Sequence, residues 1–530
     1  MESLKNTIGH YVYFSIEEGL KGQITEEYTE NVISLLFNID GLPLFNNSNQ
    51  QVWPILALII HNEYQSQPLI VAVYSGDSKP KTVEEFLNDL VAELNTLILN
   101  GVTIGNRIFK IELVGFSCDT PARSFIKKCK GHGGFYACER CETRGKTKNK
   151  KRVYPSVISR KRSKRSFIKK TPKRAPSRRH FTILKYTKLR PSKIGIFRLN
   201  AFIILGNYKM VIAAIYNTKR VNRECKLKLP RRAIKQLNLN LKKSVQLIPK
   251  EFQRKKLDLD KFSYWKATQF RFFLHYCGPL VLHKILPKQM NRHFLLLFVA
   301  CRILCDSELY IENINYAREL LVKFVELLPS FYGVDSQVMN SHNLIHIADD
   351  VENTKTYLSN ISAFPFENCL GKIKRMITGR TNPLVQLVRR VSEQKACPEM
   401  ANKNCIHKKK SVIFYNDISY EHKFDLKSII FRGVELNTSK PNNVVKIKTG
   451  EILLITRIIR CEERNIIFHG NIFKDATDAF EFPCQSTKIG IVKLGRLSKT
   501  VRVVLLENVL KKCVLFENKN VFAVTYLHES

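Results

Sequence analysis

The sequence lacks any apolar run long enough to cross a membrane. Its longest apolar stretches, such as HFLLLFVA at residues 293–300, fall far short of the roughly 20 residues that a membrane helix needs. The first residues also lack the basic segment followed by an apolar one that marks a secretory signal. These absences argue against a membrane or secreted protein. We therefore expect a soluble chain whose 530 residues suffice for two or three domains.

Acidic residues are scarce relative to basic ones. The chain has 87 Lys and Arg against 46 Asp and Glu, a formal net charge of +41. Residues 143–223 alone contain 26 Lys or Arg and no Asp or Glu. This balance predicts a polyanionic partner, most simply DNA. Two basic clusters between residues 148 and 165 are typical of a nuclear import signal or a phosphate-binding patch, a solvated loop being the alternative, and we expect a nuclear protein.

The 14 cysteines lack the regular spacing of a disulfide framework. They are scattered along the chain, and several lie inside apolar stretches such as FVACRILC. This pattern indicates reduced thiols of an intracellular protein.

The periodicity of apolar residues divides the chain into segments of different class. Residues 1–142 contain three short β-branched runs, an amphipathic helical stretch and a further strand, which predicts a mixed α/β sheet. Residues 143–239 are basic and weakly patterned, residues 240–360 are helical throughout, and residues 361–393 begin with another amphipathic helix. Residues 411–530 change to period-two runs separated by turns, which predicts a small all-β barrel or sandwich.

Three carboxylates stand at positions where rigid elements begin or end. Asp40 follows the first predicted strand, Asp119 follows the fourth, and Glu367 lies in the first turn of the helix that opens with SAFPFENCLGKIKR. Three such carboxylates can bind two Mg²⁺ ions for phosphodiester chemistry. From spacing alone the alternatives stay open, because aspartates after strands are ordinary turn residues and a first-turn glutamate is favoured by the helix dipole.

Four blocks of the sequence, in this order, resemble blocks of the CACTA-like (En/Spm-type) DDE transposases and related transposase-derived proteins of animals. The blocks are NIDGLPLFNNSNQQVWPIL, VGFSCDTPARSFIKKCKGHGGFYACERC, YWKATQFRFFLHYCGPLVL, and HNLIHIADDV followed by ISAFPFENCLGKIKR. The C-terminal FPCQSTKIGIV is also similar to the tail of that family. The resemblance thus covers nearly the whole chain.

The resemblance implies a fold and a chemistry. The expected fold is an α/β ribonuclease H-like core with a large α-helical insertion before its last acid, followed by a small all-β C-terminal domain. The implied catalytic triad is Asp40, Asp119 and Glu367, which would bind Mg²⁺ or Mn²⁺ and act on DNA, and association into a homo-oligomer is compatible with it.

Two features depart from the family pattern. The family has a D-x-x-H motif in the insertion, and none lies between Asp119 and Glu367. The acid-free segment stands where the motif is expected, which indicates a stretch translated in a shifted frame or eroded. Met1 also lies just before the first core strand, so we expect the upstream DNA-targeting module of such proteins to be missing.

Cysteine and histidine form a second set of candidate ligands. Cys129, His132, Cys138 and Cys141 have paired two-residue spacings, which suit a structural Zn²⁺ site. The alternative is a buried Cys129, a His132 beside the active site and a metal-free CxxC. His342 and His346 also have a spacing that can ligate a metal, but we expect them to pack and hydrogen-bond within the helical insertion.

Two functions of different class follow. One is an enzyme that cuts and joins DNA strands with the carboxylate triad and Mg²⁺. The other is a catalytically inactive, transposase-derived nucleic-acid-binding protein or relic. The intact triad favours the first, and the two departures from the family pattern favour the second.

Overall fold

The chain folds into two compact units. The computed structural model describes residues 9–62, 64–127, 133–162, 195–198, 229–244, 248–252, 254, 257–283, 285–396, 406–407, 414–420, 423–461, 465–517 and 520–527. The first unit combines Met1–Ile203 with Gln337–His407, and the second combines Ile204–Ser336 with Lys408–Ser530.

The α-helices of the described residues lie in both units. In chain order they are α1 (Ile16–Lys21), α2 (Val83–Asn100), α3 (Thr120–Ile126), α4 (Arg231–Ser244), α5 (Ala267–Phe272), α6 (Gly278–Leu282), α7 (Lys288–Cys305), α8 (Leu309–Tyr332), α9 (Met339–His342), α10 (Ile347–Thr354), α11 (Phe364–Met376) and α12 (Pro383–Ala396). Short 3₁₀ segments occur at Leu259–Tyr264, Val334–Ser336, Asn343–His346, Ser486–Ile489 and Leu506–Asn508, and a π-helical turn at Phe273–Cys277.

The strands of the first unit are β1 (His10–Tyr13), β2 (Val32–Ile39), β3 (Leu42–Pro43), β4 (Gln51–Ile59), β5 (Tyr64–Gln65), β6 (Leu69–Gly76), β7 (Val102–Ile104), β8 (Arg107–Cys118), β9 (Lys146–Lys148), β10 (Lys151–Val153), β11 (Gly195–Arg198) and β12 (Ile406–His407). Those of the second unit are β13 (Phe414–Tyr420), β14 (Lys423–Phe431), β15 (Val434–Asn437), β16 (Val444–Ile447), β17 (Ile452–Cys461), β18 (Ile466–Phe473), β19 (Thr477–Asp478), β20 (Ile491–Leu494), β21 (Leu497–Leu505), β22 (Val509–Glu517) and β23 (Val521–Thr525).

The first unit is built on a mixed sheet with the strand order β1-β6-β4-β2-β8-β11. The strands from β1 to β2 pair antiparallel, whereas β2, β8 and β11 pair parallel. Helix α2 packs its apolar stripe on this sheet, with Phe86, Leu90 and Leu94 almost fully buried. The predicted mixed α/β sheet is therefore present, and its parallel half begins at the strand that precedes Asp40.

The second unit combines helices α4–α8 with an antiparallel sheet. Its strand order is β13-β14-β17-β16-β22-β23-β20-β19, with β15 on β14 and with β18 between β17 and β21. The buried guanidinium of Arg302 on α7 donates to the carbonyl oxygens of Ile489 and Thr525 at 2.8 and 2.7 Å, which ties helix to sheet. The C-terminal region is all-β, as the period-two pattern predicts.

The two units divide the chain differently from the segments that the sequence predicts. The predicted helical insertion, residues 240–360, is split at Ser336, because α9 and α10 belong to the first unit and α4–α8 to the second. The predicted boundary at residue 361 consequently lies inside the first unit. Periodicity identifies an amphipathic helix, but it carries no information about which element covers the apolar face.

The basic segment contributes more regular structure than its weak pattern predicts. Strands β9 and β10 form an antiparallel hairpin within it, and β11 extends the main sheet by pairing parallel with β8. The remaining parts of residues 163–228 lie outside the described residues, so the idea of an eroded or frame-shifted stretch stays a prediction.

None of the helices in the described ranges combines the length and hydropathy needed to cross a membrane. The cysteines within the same ranges are free thiols, and most of them are buried.

Candidate carboxylate and metal centres

Asp40 and Asp119 lie side by side at one edge of the main sheet. Asp40 directly follows β2 and Asp119 directly follows β8, and these strands are parallel neighbours. Neighbouring strands are about 4.8 Å apart, so residues that follow them at the same level have adjacent backbones. The side-chain amide of Asn38 donates to the carbonyl oxygen of Ser117 at 2.6 Å and joins the two strands just before the acids.

A register shift in the β2–β8 pair brings the two aspartates level. Leu35 pairs with Leu113, but the next residue, Leu36, pairs with Gly115. Without this bulge Asp40 would be level with Cys118, and the side chain of Asp119 would lie on the opposite face of the sheet from that of Asp40. With it, the register continues to Asp119.

Glu367 lies in the first turn of α11, beside Pro365. Its backbone N–H donates to the carbonyl oxygen of Ala363 at 2.9 Å, and Phe366, Leu370 and Ile373 bury the apolar face of the helix. Further along α11, the Lys374 ammonium donates to the carbonyl oxygen of Pro43 at 2.8 Å. This contact ties the helix to the segment that follows Asp40.

The charges of Asp119 and Glu367 act on Asp40. Burial and the negative charge of Asp119 raise the pKa of Asp40 to about 7, with a further contribution from Glu367 and an opposing one from the hydrogen bond that Gly41 N–H donates to Asp40. Burial also raises the pKa of Glu367, and its buried Oε1 has no hydrogen-bond partner among the described residues.

This electrostatic arrangement fits a hard divalent cation. Mg²⁺ and Mn²⁺ prefer carboxylate oxygens, and a cation would lower the pKa of Asp40 and supply a partner for Glu367 Oε1. Among the described residues, the ligand atoms of Asp40, Asp119 and Glu367 do not all converge closely enough to form one compact ligand group.

Four buried side chains form a second centre. The atoms Cys138 Sγ, Cys141 Sγ, one ring nitrogen of His342 and one of His346 all lie within 4.8 Å of one another, and the set could hold a metal ion such as zinc. We call this set the Cys/His cluster. Cys141 Sγ is 3.5 Å from Cys138 Sγ and 3.2 Å from His342 Nε2, and Cys138 Sγ is 3.5 Å from His346 Nε2. A tetrahedron with metal bonds of about 2.0–2.3 Å has edges of about 3.3–3.8 Å.

The members of the Cys/His cluster differ from the ligand set that the sequence predicts. Cys138 and Cys141 are common to both sets, whereas Cys129 and His132 lie outside the described residues. His342 and His346, expected to pack within the helical insertion, lie against the two cysteines instead. Two hundred residues separate the pairs, and no local spacing in the sequence links them.

Hydrogen bonds and burial shift the pKa values of the two cysteines in opposite directions. Hydrogen bonding from Cys138 and then from the two histidines lowers the pKa of Cys141, despite burial. Burial raises the pKa of Cys138. His342 Nδ1 is buried and lacks a hydrogen-bond partner within the described chain, and Nδ1 of His346 is 3.7 Å from an oxygen of Asp349, an arrangement that holds the ring of a metal-binding histidine.

The residues between the two cysteines link the Cys/His cluster to its surroundings. Glu139 forms ion pairs with Arg123 at 2.7 Å and Lys127 at 2.5 Å, on and just after α3, while Arg140 pairs with Asp350 on α10. Burial would raise the pKa of Glu139, but the two cations lower it to about 2. Asp119 caps α3 by accepting a hydrogen bond from Ala122 N–H at 2.7 Å. The turn between Cys138 and Cys141 and the carboxylate site therefore both contact α3.

Comparison with known proteins informs only the C-terminal region. Residues 406–527 match a family model described as a domain of unknown function, DUF8592. No curated protein matches the chain. The matched stretch begins after Glu367 and after the Cys/His cluster, so neither centre belongs to it.

Zinc content distinguishes the two ligand sets. We expect about one zinc per chain in wild-type protein by elemental analysis, and loss of that zinc in Cys141→Ser and in His342→Ala, because each removes one of four ligands. His132→Ala and the control Cys461→Ser should retain it. Zinc that follows His132 rather than His342 would establish the sequence-predicted set instead.

The raised pKa of Asp40 predicts a specific pH dependence of stability. An acid whose pKa is higher in the folded chain binds its proton more tightly there, so the free energy of unfolding falls as pH rises between the two values. For Asp40 this window runs from 3.8 to about 7. Asp40→Asn should therefore make the free energy of unfolding fall less steeply with pH, and should stabilise the protein at pH 8 by at most about 4 kcal/mol.

The measurement is denaturant unfolding at pH 5 and pH 8 without divalent cations. Glu112→Gln, which changes an exposed carboxylate on β8, the strand that Asp119 follows, is the matched control and should leave the profile unchanged. Equal profiles for wild type and Asp40→Asn would show that the carboxylates do not interact as described.

Proposed function

We propose that this chain is a CACTA-like (En/Spm-type) DDE transposase or a protein derived from one, and that its first unit carries out metal-dependent phosphodiester chemistry on DNA. The observation that carries the proposal is the placement of Asp40 and Asp119 at adjacent parallel strand ends, with Glu367 close enough to raise the pKa of Asp40. Nuclear location and DNA as the partner belong to the same proposal, supported by the net charge of +41.

The strand order supports a ribonuclease H-like core. In such cores three antiparallel strands are followed by two that run parallel to the first. The consecutive strands β2, β4 and β6 pair antiparallel, and β8 and β11 add to the other side of β2 in parallel. The first acid then follows the first strand of the core, and the second acid follows the fourth.

The chain's own residues would hold and orient the reacting groups. Asp40, Asp119 and Glu367 would bind two Mg²⁺ or Mn²⁺ ions, which when bound activate a water or a 3′-hydroxyl and stabilise the leaving oxygen. Each acid is held by a regular element. The Gly41 N–H fixes one oxygen of Asp40 at 2.8 Å, and the cap contact with Ala122 fixes one oxygen of Asp119. Such fixed ligands keep the site in place without substrate.

We further propose that the Cys/His cluster is a structural zinc site. Both cysteines and both histidines are at most 6 % exposed, which leaves no open position for a substrate. Four protein ligands in a closed site are typical of structural rather than catalytic zinc. The zinc would join the turn that follows α3 to the segment that precedes α10.

The second candidate function is nucleic-acid binding without catalysis. It is favoured by the missing D-x-x-H motif and by the acid-free segment of residues 143–223. Both candidate functions use the excess of basic residues to bind nucleic acid. They differ only in whether the three carboxylates catalyse the cleavage of DNA.

A strand-cleavage assay separates them. Purified protein with DNA carrying the ends of its parent element, or supercoiled plasmid where those ends are unknown, should nick or join strands with Mg²⁺ or Mn²⁺. Asp40→Asn, Asp119→Asn and Glu367→Gln should each lower the rate by roughly 100-fold or more, because each removes a charge opposite the metal ions.

Glu112→Gln is again the matched control and should keep wild-type activity. Wild-type protein that binds DNA but cuts none of these substrates with either metal would establish the inactive alternative. Cutting that survives substitution of all three acids would instead point to a contaminating nuclease.

A further inference from the structure

The hairpin of β9 and β10, residues 146–153, carries a dense positive charge. Lys146, Lys148, Lys150 and Lys151 are all exposed, and β-pairing places Lys148 opposite Lys151. Like charges directly opposite each other destabilise a strand pair. Within the described chain, Lys146, Lys148 and Lys150 have no ion pair with a carboxylate. The arrangement is unfavourable for the free protein and becomes favourable beside a polyanion.

The tip of the hairpin has a second unfavourable feature. Asn149 and Lys150 have φ angles of 46° and 61°, as in the two-residue turns that favour Asn followed by Gly. A lysine at the second position is held in the left-handed region that side chains other than Gly rarely adopt. Glycine would relieve that strain but would remove the charge from the tip.

The base of the hairpin is held rigidly. The Arg152 guanidinium stacks on the half-exposed ring of Phe135 at 3.4 Å and donates to Thr147 Oγ1 at 2.6 Å, which braces the two strands. Tyr154 follows β10, is fully buried, and packs its ring 5.8 Å from that of His342. On the other side Thr143 Oγ1 is 3.1 Å from Cys141 Sγ. Both ends of the hairpin are therefore fixed to the Cys/His cluster.

We propose that this hairpin is a rigid finger that binds the phosphate backbone of DNA. The inference rests on the proposed function for the identity of the polyanion as DNA. Exposed ammonium groups without a pattern of base-reading donors favour contact with phosphates, independent of sequence. Anchoring to the Cys/His cluster, and through Glu139 to α3, keeps the finger at a constant position relative to the element that begins at Asp119.

The test measures DNA affinity of the full chain at several salt concentrations, in buffer without Mg²⁺ or Mn²⁺. The double variant Lys146→Gln/Lys148→Gln removes two charges from the finger. Each lost phosphate contact reduces the slope of log K against log salt by about 0.9, so the slope should fall by about 1.8. At about 0.15 M salt this corresponds to a loss of affinity of roughly 30-fold.

The matched control is Lys21→Gln/Lys110→Gln. It removes the same charge from exposed lysines outside the hairpin: Lys21 ends α1, where it pairs with Glu17 and Glu18, and Lys110 lies near the start of β8. It should change affinity by less than about twofold, because neither lysine belongs to the hairpin and exposed charges without a direct phosphate contact are largely screened by salt. Equal losses of DNA affinity in the two double variants would show that only the net charge of the protein matters, which would overturn the proposal.

Lys150→Gly separates an effect on DNA binding from an effect on the stability of the hairpin. It should leave the melting temperature unchanged or higher, because glycine suits the turn, while it lowers the salt slope by about 0.9. Unchanged DNA binding in Lys150→Gly and in the finger double variant would overturn the proposal, as would a loss confined to RNA duplexes. If the finger double variant binds DNA like wild type, while cleavage of DNA still depends on Asp40, the proposed role of the finger is wrong and the proposed function is unaffected.

Discussion

Three ion pairs, made by the adjacent residues Glu139 and Arg140, hold together the surroundings of both centres. Glu139 is paired with Arg123 and Lys127, and Arg140 with Asp350, at a turn whose ends are Cys138 and Cys141. Burying the carboxylate of Glu139 is costly unless its charge is compensated. The turn is therefore stable only where Glu139 can pair with Arg123 and Lys127. That requirement connects the helix after Asp119, the Cys/His cluster and the basic hairpin into one arrangement.

The arrangement has a direct bearing on the proposed chemistry. Asp119 caps α3, and α3 bears the Arg123 that neutralises Glu139. A metal in the Cys/His cluster would fix the turn from the other side, since His342 and His346 belong to a segment two hundred residues later in the chain. The carboxylate site is thus supported by contacts that take no part in its chemistry, as sites built on rigid elements require.

Much of the first unit could be predicted from the sequence because its signals are local. Short β-branched apolar runs identify β2, β4 and β6, a further strand pattern identifies β8, and helical spacing identifies α2 and the helix that bears Glu367. The β-bulge at Leu35–Leu36 could not be predicted, since it depends on how two distant strands pair. The joining of His342 and His346 to Cys138 and Cys141 was missed for the same reason. Strand β11 was missed because its basic surroundings obscure a short apolar run, and the split at Ser336 because amphipathic helices do not reveal their partners.

A crystal structure of the protein with Mn²⁺, with anomalous scattering recorded at the manganese and zinc edges, tests the central claim most directly. We expect manganese between the carboxylates of Asp40, Asp119 and Glu367, and zinc among Cys138, Cys141, His342 and His346. Manganese absent from the three carboxylates at saturating concentration, or a Glu367 side chain directed away from both aspartates, would contradict the account.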